Sequence, residues 1–324
     1  MKFAIMATGW IAEQMAETIA KMPQIESYAV ASRCLEKAEA FAKRYGFRKA
    51  YGSYEELVQD PEVELIYVAT PHSHHYECAK MCLENGKPAL VEKAFTVNAK
   101  QAKELIRLSE EKGVFLAEAF WTRYMPARDK VDELLAKGVI GEITSVVSGF
   151  GLTLEHRERM VKPELAGGAL LDLGVYPLNF ALMFVKSPVK DVVSSAVLSP
   201  EGVDWANSMT LTFENGCIAL LHSNMRSMTY NGGIIYGKKG HIEVKGTNNI
   251  ESIMLYGNDD VLIESYEVPE QISGYEYELL DCMEALEQGK LECEKMPHSE
   301  TLRAMELLDT MREQWGMRFP CENI

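Results

Sequence analysis

Asp172, Tyr176 and Lys93 are the residues of this chain whose types and spacing most readily do chemistry. The first two lie in Leu165-Ala-Gly-Gly-Ala-Leu-Leu-Asp172-Leu-Gly-Val-Tyr176-Pro177, and Lys93 follows Glu92 much earlier in the chain. Residues four apart share one face of a helix, so Asp172 and Tyr176 look into one cleft. Lys93 meets them there if the N-terminal part folds as its pattern predicts. A lysine, a tyrosine and an aspartate then form a proton-transfer set that needs no metal.

The elements that must position these groups follow from the hydrophobic pattern. Short apolar runs at Phe3 to Met6, Tyr28 to Ala31, Leu65 to Ala69, Ala89 to Val91 and Val114 to Ala117 alternate with amphipathic stretches. That alternation predicts a doubly wound parallel sheet. Helix ends are marked as well: Asn85-Gly86 stops the helix that begins near His74, Asn98 caps the next, and Gly113 terminates it. The texture changes after Tyr124-Met125-Pro126, which divides the chain into residues 1–120 and 121–324. The second part opens with a helix over Ala127 to Lys137, a Gly138/Gly141 break and a strand over Ile143 to Phe150. Strand-like runs separated by turn residues then fill Lys190 to Tyr266, the pattern of an antiparallel meander. Helices over Tyr275 to Gln288 and Ser299 to Trp315 close the chain. The expected architecture is an α/β Rossmann domain followed by an α+β domain with a large, mostly antiparallel, open-faced sheet. A sheet face that no helix covers predicts a homo-oligomer, dimer or tetramer, assembled through it.

A length of 324 residues and 47% hydrophobic content suit two globular domains, and the formal charge of -15 repels nucleic acid and anionic membranes. Seven cysteines, odd in number and scattered, read as reduced thiols of a cytoplasmic protein. His74, Cys78 and Cys82 recur along one helix face, but a single stripe offers at most two good ligands, so no metal is expected.

The first strand runs into Ala7-Thr8-Gly9-Trp10-Ile11-Ala12, a G-x-G-x-x-A dinucleotide fingerprint with alanine in the first place. Gly9 lets backbone approach a pyrophosphate, which the following helix N-terminus holds. Alanine suits the tight turn only if φ at Ala7 stays negative. The second strand ends in Ser32-Arg33, where an acid for the adenosine ribose is usual. Arg33 and the Ser32 hydroxyl instead suit a 2′-phosphate, which favours NADP over NAD.

With those residues in view, the whole chain resembles the glucose-fructose oxidoreductase and inositol dehydrogenase group, Gfo/Idh/MocA. The markers are the fingerprint, Thr70-Pro71-His72-Ser-His-His75, Val91-Glu92-Lys93-Ala94, Glu118-Ala-Phe-Trp121-Thr-Arg123-Tyr-Met-Pro126 and Gly167-Gly-Ala-Leu-Leu-Asp-Leu-Gly-Val-Tyr-Pro177. The last two are most similar to the dimeric dihydrodiol and NADP-linked xylose dehydrogenase branch. The resemblance implies that Lys93 lies beside the nicotinamide, that Asp172 touches substrate, and that Tyr176 is the acid/base. It implies that Thr70, Pro71, His72 and His75 surround the cofactor's ribose and nicotinamide, with Glu92 beside Lys93. Trp121 and Phe150 would line the substrate pocket, with Arg123 at the same junction; core aromatics would read alike. Gly167 and Gly168 would let a polyol or ring approach the helix start. The family's proline after the lysine is Ala94 here, and that bond is often cis in relatives, so the loop is either cis without proline or trans with Lys93 displaced.

The implied chemistry is coherent. Oxidising an alcohol removes its hydroxyl proton while a hydride leaves the same carbon, and a phenol of pKa about 10 is a poor base. A lysine ammonium nearby favours phenolate, so Lys93 would tune Tyr176 and hydrogen-bond the substrate oxygen. An NAD(P)-dependent oxidoreductase of a sugar, polyol or cyclic diol is the leading reading. A glycosidase or epimerase that retains its nicotinamide, and a non-catalytic nucleotide sensor, are the alternatives.

Overall fold

The computed structural model describes residues 1–323. Two compact units emerge, Met1–Tyr124 with Gln271–Leu302, and Met125–Glu270 with Arg303–Ile324.

The first unit alternates strand and helix: β1 (Lys2–Met6), α1 (Trp10–Ile19), β2 (Glu26–Ala31), α2 (Leu35–Tyr45), β3 (Lys49–Tyr51), α3 (Tyr54–Gln59), β4 (Leu65–Val68), α4 (His72–Glu84), β5 (Ala89–Glu92), α5 (Ala99–Lys112) and β6 (Leu116–Ala119). Every residue of β4, β5 and β6 is buried. Parallel strands covered on both faces are apolar along their whole length, which is why they stood out as runs. The capping signals act as read, with the Asn98 side chain accepting from Gln101 N and Gly113 closing α5 at φ 64. The strand order is β3-β2-β1-β4-β5-β6, parallel throughout. Order reverses between β1 and β4, and the crevice at their carboxyl ends is where such sheets bind nucleotides. Five of these strands are the apolar runs of the sequence; the sixth, β3, is three half-buried edge residues, too short to register as such a run.

Residues 271–302 belong to this unit, although the sequence reading assigned everything after 121 to the second domain. Leu116 N donates to Leu291 O at 2.9 Å and His298 Nε2 lies 2.8 Å from Leu116 O, so the returning chain seals the β6 edge.

The second unit begins with α6 (Pro126–Ala136), β7 (Ile143–Gly151), a short helix α7 (Glu158–Val161) and the π-helical turn Leu170–Gly174, which runs directly into α8 (Val175–Phe184). The sheet is completed by β8 (Val189–Leu198), β9 (Asp204–Phe213), β10 (Ile218–Asn224), β11 (Gly232–Gly237), β12 (Gly240–Lys245), β13 (Ser252–Gly257) and β14 (Leu262–Glu267). Two helices follow, α9 (Glu276–Glu287) in the first unit and α10 (His298–Gln314), within which the division at Leu302 falls. The order β14-β13-β12-β11-β7-β10-β9-β8 is antiparallel except for β7 beside β10. The expected meander is thus split by β7, which enters from upstream and occupies the middle.

Helix α8 is buried at every position. A helix apolar all round must lie in a core, and although Pro163–Phe184 is apolar enough for a membrane span, 94% of its most apolar window is buried. On β10 burial alternates strictly, Ala219 and Leu221 inward, Ile218 and Leu220 outward. The outward row Val193, Thr210, Leu220, Val147 and Ile234 crosses five strands in register. Val193, Leu220 and Val147 in it are 63%, 50% and 39% exposed.

Candidate active site

The nucleotide half of the site is built at the carboxyl ends of β1, β2 and β4. Ala7 leaves β1 at φ 95, correcting the expectation of a negative angle. The turn places its residue in the left-handed region, and alanine bears the strain that glycine would avoid. Gly9 follows in extended conformation as the N-cap of α1, with no side chain capping the helix and open space where a Cβ would point. Glu13, the acid of that first turn, is paired with Arg44 at 3.0 Å. A helix N-terminus without a side-chain cap, reached through a glycine beside open space, fits a dinucleotide pyrophosphate. Ser32 is buried at the end of β2, whereas Arg33 is exposed and makes no hydrogen bond or ion pair with any described residue. A free guanidinium there fits a 2′-phosphate. Thr8 precedes Gly9, Trp10 follows it at 55% exposed, and Ile11 lies in the first turn of α1.

Lys93 extends from β5, and the Lys93–Ala94 peptide bond is cis. Tyr67 on β4 donates to Glu92, whose other oxygen accepts from Lys93 N at 3.1 Å. Burial pushes the Tyr67 phenol and the Glu278 carboxyl group well above their ordinary ranges. Thr70 and His72 are buried around Pro71, the N-cap of α4. His75 is placed differently from a cofactor ligand. Its nitrogens lie 2.8 Å from Thr70 O and Ala94 O, and burial lowers its pKa to about 4. A neutral ring has one N–H for those two carbonyls, so His75 braces the loops on either side of the crevice.

Trp121 lies flat on Tyr275, ring centroids 4.3 Å apart and interplanar angle 16°. Arg123, expected at the substrate, is 3% exposed and bonded to Glu300 at 2.9 Å. Its charge is used inside the first unit, where Glu118 is also buried, with its pKa raised to about 7 by burial.

In the second unit, Phe150 on β7 meets Tyr176 edge-on, with centroids 5.5 Å apart at 82°. Asp172 sits in the π turn and Tyr176 in the first turn of α8; both are nearly buried. Such i→i+5 turns inside helices are frequent at functional sites. Asp172 is forked by Arg159, with Nη1–Oδ1 at 2.9 Å and Nη2–Oδ2 at 3.1 Å. Arg159 lies in the short helix α7, in a polar stretch that carries no motif, so nothing in the sequence marks it. That stretch is pinned through Leu152 N to Asn224 O, Leu154 N to Met225 O and Arg226 to Glu155. Each of the paired glycines answers to the protein's own chain: a Cβ on Gly167 would lie 2.5 Å from Met160 O, and one on Gly168, at φ 114, would lie 2.3 Å from Oδ1 of Asp204 on β9. The close approach expected of a ligand is made by the protein itself.

A Rossmann unit whose fingerprint helix has no side-chain cap, followed in the chain by an open-faced sheet unit whose π turn and α8 carry a buried aspartate and tyrosine, points to a nicotinamide-dependent oxidoreductase. Residues 1–120 match the oxidoreductase family with an NAD-binding Rossmann fold, Gfo/Idh/MocA, and residues 129–243 match that family's C-terminal domain. The chain belongs to the Gfo/Idh/MocA family. It is 35% identical to the D-xylose 1-dehydrogenase (NADP(+)) of Hypocrea jecorina, over 99% of this chain and 93% of that protein. It is 32% identical to the trans-1,2-dihydrobenzene-1,2-diol dehydrogenase of Mus musculus, over 99% of this chain and 98% of that one. The fold of KijD10, a 3-ketoreductase from Actinomadura kijaniata solved with NADP and TDP-benzene, agrees with a TM-score of 0.88 at 24% identity over 97% of both chains.

Proposed function

We propose that this protein is an NADP-preferring dehydrogenase acting on a CH–OH group of a sugar, polyol or cyclic diol, with Tyr176 as acid/base and Lys93 assisting. The observation that carries the reading is the likeness along 99% of the chain to an NADP-linked xylose dehydrogenase and to a dihydrodiol dehydrogenase. A nicotinamide dinucleotide held at the Gly9 turn, Ser32 and Arg33 would supply the hydride acceptor for oxidation and the hydride donor for reduction. Tyr176, as phenolate, accepts the hydroxyl proton as the carbonyl forms, and gives it back in the reverse direction. Lys93 favours that phenolate and donates to the substrate oxygen. Asp172 binds a neighbouring hydroxyl together with Arg159, whose fork leaves the pair nearly neutral. A neutral, hydroxyl-rich ligand suits such a pair better than an anion or a cation.

The same reading makes the exposed apolar row of the sheet an interface between copies. None of the seven cysteines forms a disulfide, which supports a cytoplasmic protein.

The test is a panel of aldoses, inositols and dihydrodiols with NADP+ and NAD+, followed at the reduced-nicotinamide absorbance. Lys93→Ala and Tyr176→Phe each abolish turnover and leave cofactor affinity nearly intact. Normal turnover in either variant defeats the assignment, and a reaction without net cofactor reduction points to a retained nicotinamide instead.

A further inference from the structure

Asp204, the first residue of β9, is 1% exposed and belongs to no part of the reaction described above. Its Oδ2 accepts the backbone N–H of Leu170 at 2.9 Å and the side-chain amide of Asn207 at 2.8 Å. Leu170 opens the π turn that carries Asp172 and leads into Tyr176. The first N–H groups of a helix have no partner within it, and no side chain of the segment itself caps this one. Asp204 supplies the missing acceptor from another element. Its Oδ1, meanwhile, has no hydrogen-bond partner among the described residues and lies against Gly168.

We propose that Asp204 is a positioning residue for the reaction: its carboxyl group ties the start of the helix presenting Asp172 and Tyr176 to strand β9. The glycine at 168 is what admits that carboxyl group, since any Cβ there would overlap Oδ1. Position 204 also decides how firmly the tie holds. A carboxylate accepts more strongly than a neutral acid and complements the helix's positive end. Burial raises the pKa of Asp204 to about 7, against the opposing pull of Asn207, the Leu170 amide and, from α10, Arg312. Arg312 is itself bound to Glu322 and Asp309, which limits its pull. On the sheet face beside Asp204, Asn207 stands opposite Ser223 of β10, and neither carries charge. The tie therefore strengthens as pH rises through neutrality, and turnover rises with it.

The linkage sign gives stability the opposite trend. A carboxyl group whose folded pKa lies above its unfolded value of about 3.9 contributes stability below that value and loses it as pH rises towards 7. A residue kept for stability alone would not be ionised there.

The proposal rests on Tyr176 doing the chemistry, and the test separates the two. Asp204→Asn keeps the shape and removes the charge. We expect kcat at pH 8.5 to fall about tenfold, with KM and NADP+ affinity unchanged, and the ascending limb of kcat near pH 7 to disappear. The Tm of the variant relative to wild type should move upward between pH 5 and pH 8. Asn207→Ala, a milder cut to the same oxygen, lowers kcat less and keeps the limb. Wild-type kcat and pH profile in Asp204→Asn overturn the proposal, as does a kcat loss accompanied by an equal Tm loss at both pH values. Should Asp204→Asn not fold, an Asn207→Ala protein with wild-type kcat overturns it. A wild-type protein that turns over nothing on the panel refutes the proposed function, and this role with it.

Discussion

Replacing Gly167 by alanine puts the packing around Asp172 to a quantitative test. The added Cβ would lie 2.5 Å from Met160 O and 2.7 Å from Arg159 O, both backbone atoms that no rotamer change can remove. Ordinary contact begins near 3.4 Å, so the 159–160 backbone must retreat by about 0.9 Å. Arg159 is anchored on that backbone, and its two bonds to Asp172, 2.9 and 3.1 Å long, would stretch beyond hydrogen-bonding length. Overpacking of this kind costs about 2 kcal/mol, and the half-exposed fork adds at most about 1 kcal/mol. At about 2–4 °C per kcal/mol for a unit of this size, differential scanning calorimetry should show Tm lowered by roughly 4–12 °C. Because Asp172 loses its fixed orientation, kcat falls on the order of tenfold or more, while NADP+ affinity, which belongs to the other unit, stays the same. A Gly167→Ala protein with wild-type Tm and kcat would show that the loop retreats freely and that the glycine is not required by this packing.

Three further outcomes follow from other parts of the molecule. Ala7→Gly removes left-handed strain of about 1–2 kcal/mol, offset in part by glycine's entropy, so Tm should rise by about 2 °C; a fall in Tm contradicts the strain. Arg33→Ala weakens NADPH binding by about tenfold or more, the worth of a charge-assisted contact, and leaves NADH binding nearly unchanged; fluorescence titration showing equal losses removes the 2′-phosphate argument. Leu220→Arg places a charge in the middle of the outward apolar row, so light scattering should show an oligomer becoming a monomer, and a wild-type protein that is already monomeric dismisses the interface.

Elements whose burial is local were legible in the sequence. The strands of the parallel sheet stand out because both faces are covered, and Asn98 and Gly113 mark helix ends by backbone chemistry that acts within a few residues. Phe150 and Tyr176 were singled out separately, and the structure brings them into edge-on contact. What escaped depends on residues far apart in the chain. Nothing about Arg159 distinguishes it from a solvated loop arginine until Asp172 is placed under it. Arg123 looked available for substrate because Glu300, its partner, lies in a segment that returns from the end of the chain. The left-handed angle at Ala7 is imposed by the turn from β1 into α1 against the residue's own preference, which reading from residue types necessarily gets backwards. The π turn at Leu170 is likewise set by how β7, β9 and β10 meet the helix.

That the first unit is assembled from two separated stretches bears on how the protein is made. Synthesis delivers residues 1–124 first, yet the indole of Trp121 then lacks Tyr275, the β6 edge lacks Leu291, and a deeply buried guanidinium at Arg123 lacks Glu300. Until residues 291 to 300 are free to pair, that sheet edge has no cover from this segment. The first unit is thus completed only when residues 271–302 have been made, and dependence on chaperones should be greatest in the interval when most of the chain has emerged and that sealing segment has not.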